Sequence, residues 1–527
     1  GGPFAGLFDL LPMADRHLTL TRVDLRGVTD EHHEIAATTR TNFIGAPRRL
    51  GLTGNLFSID DPHTGTGLVL VRHGMLPASA YPPRRGSADL QLHRGTIALL
   101  DATTRPTDEP TDDGWFESDW HALLAYTGGP AGRTRLLQRY EQHLRRPELS
   151  PRRMLSNTWG DRGRDGRLGE QFLLDEVDAA ADLGVDIVQI DDGWQAGRSA
   201  NSVDPTGGKW TGFWEDETFW DPHPQRLPNG LEPILAATAK HDLRLGLWYA
   251  PDSADDFANW PRDVERILQL HQRYGVDHFK LDSVDITSGR GQANFDKLLD
   301  GLRVGSGGRV VLDLDATAGR RPDYLGRPDT GPVFVENRYT DWGNYQPHLT
   351  LRALWQLTHW IDPARLRFEW LNPDRNTDRY PQASPLAPSA MGIDYLFAIT
   401  MVAQPLAWLE LQQLDAARRE TLRPLVRRWC GHRDAWSGAS VLPIGAAPGG
   451  GSWTGFQIVT ADESAATHVV LFREPLAPAV GLMHLPVAAS AVSNVVHGDD
   501  VVTLRDGSTM LVESEQAGSC HWLTLSR

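Results

Sequence analysis

Over the first 150 residues apolar and polar positions alternate in short runs, the two-residue period of half-buried strands. "HLTLTRVDL" (17–25), "GLVLVRHG" (67–74) and "GTIALLD" (95–101) are separated by Gly, Pro, Asp and Asn turn signals. This pattern predicts an N-terminal antiparallel β-sandwich over 1–150, closed by a linking helix in "RTRLLQRYEQHLRR" (133–146). From 151 to 434 the pattern becomes strand, loop, helix, repeated. Strands are expected at "MLSNTW" (154–159), "DIVQIDD" (186–192), "LRLGLWYA" (243–250) and "HFKLD" (278–282). Four more are expected at "RVVLDLD" (309–315), "PVFVEN" (332–337), "LRFEWLN" (366–372) and within the apolar stretch "YLFAITMVAQPLAW" (395–408). Helix-like segments such as 170–184, 231–242, 261–275 and 293–303 lie between most of them. The third runs from Pro261 to Gly275, a start and a stop signal, and Val264, Ile267, Leu268 and Tyr274 fall roughly on one face. Eight such units predict an α/β fold, a central (β/α)8 TIM barrel. A doubly wound sheet is the structural rival, but no Gly-rich phosphate loop follows the first strand. Beyond the turn-rich "GAAPGGGSW" (445–453), the runs "FQIVT", "HVVLFREP" and "TMLVES" predict a small C-terminal antiparallel β domain over 435–527.

Bulk properties narrow the function. The 527 residues are 40% hydrophobic and 23% charged, which suits a soluble multidomain protein. A formal charge of −16 argues against a nucleic-acid partner, which needs a basic face. No run approaches the ~18 apolar residues of a membrane span. Cys430 and Cys520 are expected as free packing thiols, which leaves the compartment open. The chain opens on Gly1-Gly2 without an initiator Met or a signal-like segment. A secreted protein whose signal peptide is missing and a cytoplasmic protein both fit. A homo-oligomer is allowed by the sequence but not read from it. No cofactor is called for, and no metal: the adjacent histidines of "DEHHE" (30–34) lack the i, i+4 spacing of a zinc helix and read as a surface turn. Acyl and phosphoryl transfer find no Gly-x-Ser-x-Gly elbow or Walker loop.

The barrel segment contains an internal echo. "LGVDIVQID" ends at Asp191 and "YGVDHFKLD" at Asp282, each passing from a helix-stopping Gly through Val-Asp into a strand. Alternation turns Val188 and Ile190 to one side and Gln189 and Asp191 to the other, then Phe279 and Leu281 against Lys280 and Asp282. In a barrel the apolar set meets the helices, and the residues at the C-terminal strand ends form the site. The same test collects Asn157, Trp159 and Asp161 from "NTWGD", Trp248, Tyr249 and Asp252 from "GLWYAPD", Asp313 and Asp315 from "VVLDLD", and Glu336 from "PVFVEN". Tryptophans beside acids present flat apolar surface next to hydrogen-bonding groups, as a sugar site requires. Two carboxylates suffice for glycoside hydrolysis, so the partner expected is an oligosaccharide or glycoside.

The run "NTWGD … DDGWQ … GLWYAPD … FKLDSVD" resembles the melibiase-like α-galactosidases of glycoside hydrolase family 36 and their clan. The resemblance covers the whole barrel and implies Asp282 as the nucleophile of a retaining mechanism. It further implies Lys280 on a nearby sugar hydroxyl, Asp191 and Asp192 on the outer hydroxyls, and Trp194 and Trp159 lining the pocket. Two departures stand out. Where the family carries Cys-x-x-Gly-Gly-Gly-Arg on strand five, this chain has "LDLDATAGRRPDYLG", with Asp315 in place of the Cys. Where the family carries its acid/base in Ser-Asp-Asn-Thr-Asp, this chain has "VENRYTD", so Glu336 matches by position. Asp341, Glu369 and Asp315 are the rivals for that role. Arg320 and Arg338 either bind substrate or pair with these acids. The expectation is a retaining, exo-acting glycoside hydrolase, foremost an α-galactosidase, with carboxyl groups ~5–5.5 Å apart. The alternatives are the same mechanism on another terminal sugar (α-N-acetylgalactosamine, β-L-arabinopyranose or a glucose-type residue), a transglycosidase, or a carbohydrate-binding protein without catalysis.

Overall fold

In the computed structural model the described residues are 8–12, 17–24, 37–44, 50–52, 54–73, 90–93, 96–99, 120–146, 149, 151–286, 288–315, 325–335, 338–462, 466–499 and 502–526. "DEHHE" lies outside them. Two antiparallel sheets form the N-terminal part. One orders Ala37–Ile44, His17–Asp24, Leu56–Asp61, Thr66–His73 and Trp120–Tyr126; the other orders Phe8–Pro12, Thr96–Leu99, Leu90–His93 and Leu50–Leu52. Leu20, Phe57, Ile59 and Leu70 of the first sheet share one buried cluster with Leu90 and Ile97 of the second. Their neighbours Leu56, Val69 and Val71 face the opposite way and join the main core. Period-two alternation thus buries both faces of the larger sheet.

The helix Gly129–Leu144 leads from these sheets to the barrel. Gln138 donates through Nε2 to the carbonyls of Thr358 (3.1 Å) and Val441 (2.7 Å), and Arg145 pairs with Asp362 at 3.1 Å. The helix therefore holds the barrel and the C-terminal sheet at once. That C-terminal part stacks a five-stranded antiparallel sheet against a three-stranded one.

Eight parallel strands close into a barrel between these parts. In chain order they are Leu155–Asn157, Ile187–Ile190, Arg244–Tyr249, His278–Leu281, Val311–Asp315, Val333–Val335, Leu366–Trp370 and Gln404–Trp408, here called strands one to eight. Each short run is nearly all apolar or inward-polar because both faces are covered. Helices Glu170–Leu183, Glu232–Lys240, Trp260–Tyr274 and Gly289–Gly305 occupy the segments where helical periodicity is expected. Trp260–Tyr274 buries Ile267 and Leu270 and ends at Gly275, whose φ of +70° is the left-handed stop that glycine supplies at little cost. One expectation changes. The stretch 395–408 is not a single strand: its first part belongs to the buried helix Ile393–Thr400, and only Gln404–Trp408 is strand eight. A run that is apolar on every side carries no period to distinguish the two. No helix among the described residues is long and apolar enough to cross a membrane. Cys430 and Cys520 are free thiols.

Candidate active site

The inward side chains at the C-terminal ends of strands one to five meet in one hydrogen-bonded cluster. Asn157 donates through Nδ2 to Gln189 (2.9 Å) and Asp191 (2.7 Å), and Gln189 donates to Asp313 across the barrel at 3.2 Å. Parallel register sets Trp248 beside Lys280 and Lys280 beside Asp313. The Lys280 ammonium lies 3.3 Å from Asp191 Oδ2 and 3.8 Å from Asp282 Oδ2. It also sits 4.4 Å from the Phe334 ring and 5.1 Å from the Trp408 ring, two faces that favour a cation. One buried cation is thereby shared by two carboxylates, offsetting their mutual repulsion.

Asp282 follows strand four directly. Its Oδ2 accepts from Trp248 Nε1 at 3.0 Å, and its Oδ1 from the backbone N–H of Ser283. Ser283 has φ +55°, a left-handed backbone uncommon for a non-glycine residue, and this turn aims its N–H at the carboxylate. At 11% exposure the Asp282 side chain is more open than those of Asp191 and Lys280 beneath it. The Oγ of Ser283 and the Nε1 of Trp408 are buried without a partner.

Asp192 is held differently. Gln195 donates to its Oδ1 at 2.7 Å and Ser199 donates to its Oδ2. Burial pushes its carboxyl up to about 7, the neighbouring Asp191 adding to the rise and the Ser199 and Gln195 bonds opposing it. The linkage has a definite sign. The native state keeps this proton while the unfolded chain releases it near pH ~4, so stability falls as pH rises through that window to about 7. Asp192→Asn removes the penalty; its melting temperature relative to wild type should rise from pH 4 to pH 7 and then level. A flat difference in scanning calorimetry over that range would contradict the buried, protonated acid.

No protein-family profile matches the chain. Curated relatives match part of it. A probable α-galactosidase C of Aspergillus terreus is 32% identical over 136 residues, 24% of this chain and 17% of that protein. A probable α-galactosidase G of Emericella nidulans is 27% identical over 184 residues, 32% of this chain and 23% of that protein. The chain thus matches less than a quarter of the length of either. Among solved structures, the family 36 α-galactosidase AgaA of Geobacillus stearothermophilus superposes with a TM-score of 0.68 over 98% of this chain and 75% of that one, at 14% identity. The α-galactosidase of Lactobacillus brevis gives 0.65 over 98% and 74%, at 13% identity. The fold is that of the family 36 α-galactosidases.

Within this family 36 fold, the structure brings Asp191, Asp192, Lys280, Asp282, Trp248 and Asn157 together, with Asp315 buried at the end of strand five. Glu336 and Arg320 lie outside the described residues. Other expected residues take different places. Trp194 is fully buried, donating to the Trp248 carbonyl at 2.8 Å and packing on Trp220, so it backs Trp248 and has no face left for a sugar. Asn157 is likewise enclosed and orients Asp191. Trp159 sits in the 3-10 turn Thr158–Asp161, its N–H on Asn157 Oδ1. This turn packs so tightly on strand eight that a Cβ on Gly160 would lie 1.9 Å from the Trp408 carbonyl oxygen. Arg338 is 0% exposed and pairs with Glu369, also 0% exposed. That removes Arg338 as a substrate contact and seals Glu369 against solvent. Asp161 accepts from the Glu410 N–H, and Asp252 from Thr211, Gly212 and Asn259, so both tie loops together.

Sequence reasoning missed the aromatic pair around Lys280 and the grip on Asp192. Trp408 ends strand eight as Trp248 stands near the end of strand three, and that strand-end position was the available signal. Gln195 lies three residues beyond Asp192 in a turn, but nothing local marks Ser199. A cleft of about 780 Å³ opens at the opposite, N-terminal end of the barrel, lined by Arg153, Arg244, Arg309 and His278 among others. Its described lining holds a single carboxylate, Asp277, so chemistry needing two carboxylates has no footing there.

Proposed function

We propose that the chain is a retaining, exo-acting glycoside hydrolase whose foremost substrate is a terminal α-galactoside. The observation that carries this reading is the Asp282 carboxylate, held by Trp248 Nε1 and the Ser283 N–H at a barrel strand end beside the Lys280–Asp191 pair. A carboxylate fixed at both oxygens presents a lone pair in one orientation, as attack on an anomeric carbon demands. In the first step Asp282 bonds to the anomeric carbon while an acid protonates the departing oxygen. In the second, the same residue, now a base, takes a proton from water, which displaces Asp282 and releases the sugar. Glu336 is the acid/base of this proposal. Asp341 is its alternative: it lies on the loop after strand six, with Oδ2 accepting from Arg162 Nε at 3.3 Å. Asp191 and Asp192 would receive sugar hydroxyls. Solved structures of the Geobacillus stearothermophilus enzyme include complexes of its variants with raffinose and stachyose, and terminal galactosides of that kind are the class proposed here. The same mechanism on another terminal sugar is the second reading, favoured by Asp315 where the family has a Cys.

A panel of aryl glycosides tests both readings: α-galactoside, α-N-acetylgalactosaminide, β-L-arabinopyranoside and α-glucoside. Fastest release from the α-galactoside, with NMR showing the α-anomer formed first, is the expected result. Preference for another member moves the assignment to that sugar. Release of the inverted anomer would refute retention, and release from none with sugar binding intact would leave a binding protein.

A further inference from the structure

We propose that Trp342 is a stacking platform for the sugar on the leaving-group side of the scissile bond. This subsite rests on the glycosidase reading given above. Trp342 stands on the loop between strand six and the helix Pro347–Thr358, at the same end of the barrel as Asp282, and its side chain is 50% exposed. Exposure alone does not single it out, since Trp120 and Trp210 are also exposed, but Trp342 is the one on the loop beside the site, and an indole gains most where a ligand covers it.

Two further observations give it a direction and a rigidity. The first is a continuous aromatic path from the site to the rim. The Lys280 ammonium lies 5.1 Å from the Trp408 ring, Trp408 is 6.1 Å from Tyr339, and Tyr339 is 4.7 Å from Trp342, edge to face. The second is that the loop is braced. Asn344 Oδ1 accepts from the Tyr339 N–H at 2.7 Å, and Asn376 donates to Thr340 Oγ1 at 2.9 Å. The Arg162 guanidinium lies 4.6 Å from the Tyr339 ring and 4.7 Å from the Trp342 ring while bonded to Asp341. A rim tryptophan on a loop so held is pre-organised, and a sugar that stacks on it does not have to order it first. The ligand such a surface takes is the apolar face of a pyranose ring, here the ring attached through the bond to be broken.

The test compares two substrates with the same terminal sugar. One is an oligosaccharide with a pyranose leaving group; the other is the glycosyl fluoride, whose leaving group has no ring to stack. Trp342→Ala should lower kcat/KM on the oligosaccharide about ten-fold, mainly through KM, and leave the fluoride within about two-fold. Trp342→Phe, which keeps a flat face, should recover most of the loss. Equal losses on both substrates would make Trp342 a structural residue and overturn the subsite, as would unchanged kinetics on the oligosaccharide. If the wild-type protein turns over neither substrate, the glycosidase reading falls first and the subsite with it.

Discussion

Asp282→Asn should lower kcat by on the order of 10⁴-fold on every glycoside the protein cleaves, with the fold retained. The amide is neutral and a poor nucleophile, so the covalent step has no substitute in the cluster. Asp191 cannot take over, because its Oδ2 already accepts from Asn157 and lies beside Lys280, below the mouth. The structural cost is bounded. Among the described residues the aspartate accepts from Trp248 Nε1 and Ser283 N, and an asparagine oxygen keeps one while its NH₂ turns on the other. One mismatched donor pair in a partly exposed position costs about 1–3 kcal/mol. The variant should therefore keep the melting profile of the wild type and still bind the released sugar. Asp282→Gly opens a hole of carboxylate size where the nucleophile stood. Added azide should restore turnover of an activated aryl glycoside there and give a glycosyl azide of inverted configuration, because only one displacement has occurred. Near-normal turnover by the asparagine variant would end the nucleophile assignment, and rescue with retained configuration would place the attacking group elsewhere.

How much of this site could be read from the chain depends on the distance over which each feature is encoded. Strand alternation is local: Lys280 and Asp282 against Phe279 and Leu281 already separates the inner face from the outer, and the structure puts them so. Depth is not local. Trp194 and Asp192 are neighbours but one, yet Trp194 is packed behind Trp248, while Asp192 is gripped by a serine seven residues on. Arg338 and Glu369 neutralise each other across 31 residues, a pairing no periodicity reveals. The helix Ile393–Thr400 could not be told from a strand, because all its residues but Asp394 are buried and they carry no polar stripe. His278 shares a face with Lys280, as alternation requires, but one turn of the pleat carries it to the other mouth of the barrel. There its Nδ1 meets Asp277 at 2.5 Å and takes no part in the acid cluster. The aromatic path from Trp408 to Trp342 draws on two barrel strand ends and is invisible until the barrel closes.

Lys280→Met carries the second large effect, and the reason is charge accounting within a closed cluster. Methionine matches the length of the lysine stem and suits the rings of Phe334 and Trp408, so packing around the stem is largely kept. What disappears is the cation that lies within 4 Å of both Asp191 and Asp282. Removing one partner of a buried ion pair strands the other, a loss of about 3–5 kcal/mol, and here two acids share the stranded role. Turnover at neutral pH should fall on the order of 10³-fold, because the nucleophile loses the charge that holds it beside Asp191. Adding Asp191→Asn to Lys280→Met removes one stranded charge, so the double variant should be more stable than Lys280→Met alone. A double-mutant cycle in melting temperature separates the outcomes. If Lys280→Met loses activity with no coupling to Asp191 in stability, the lysine acts on the substrate alone and not on the charge of Asp282.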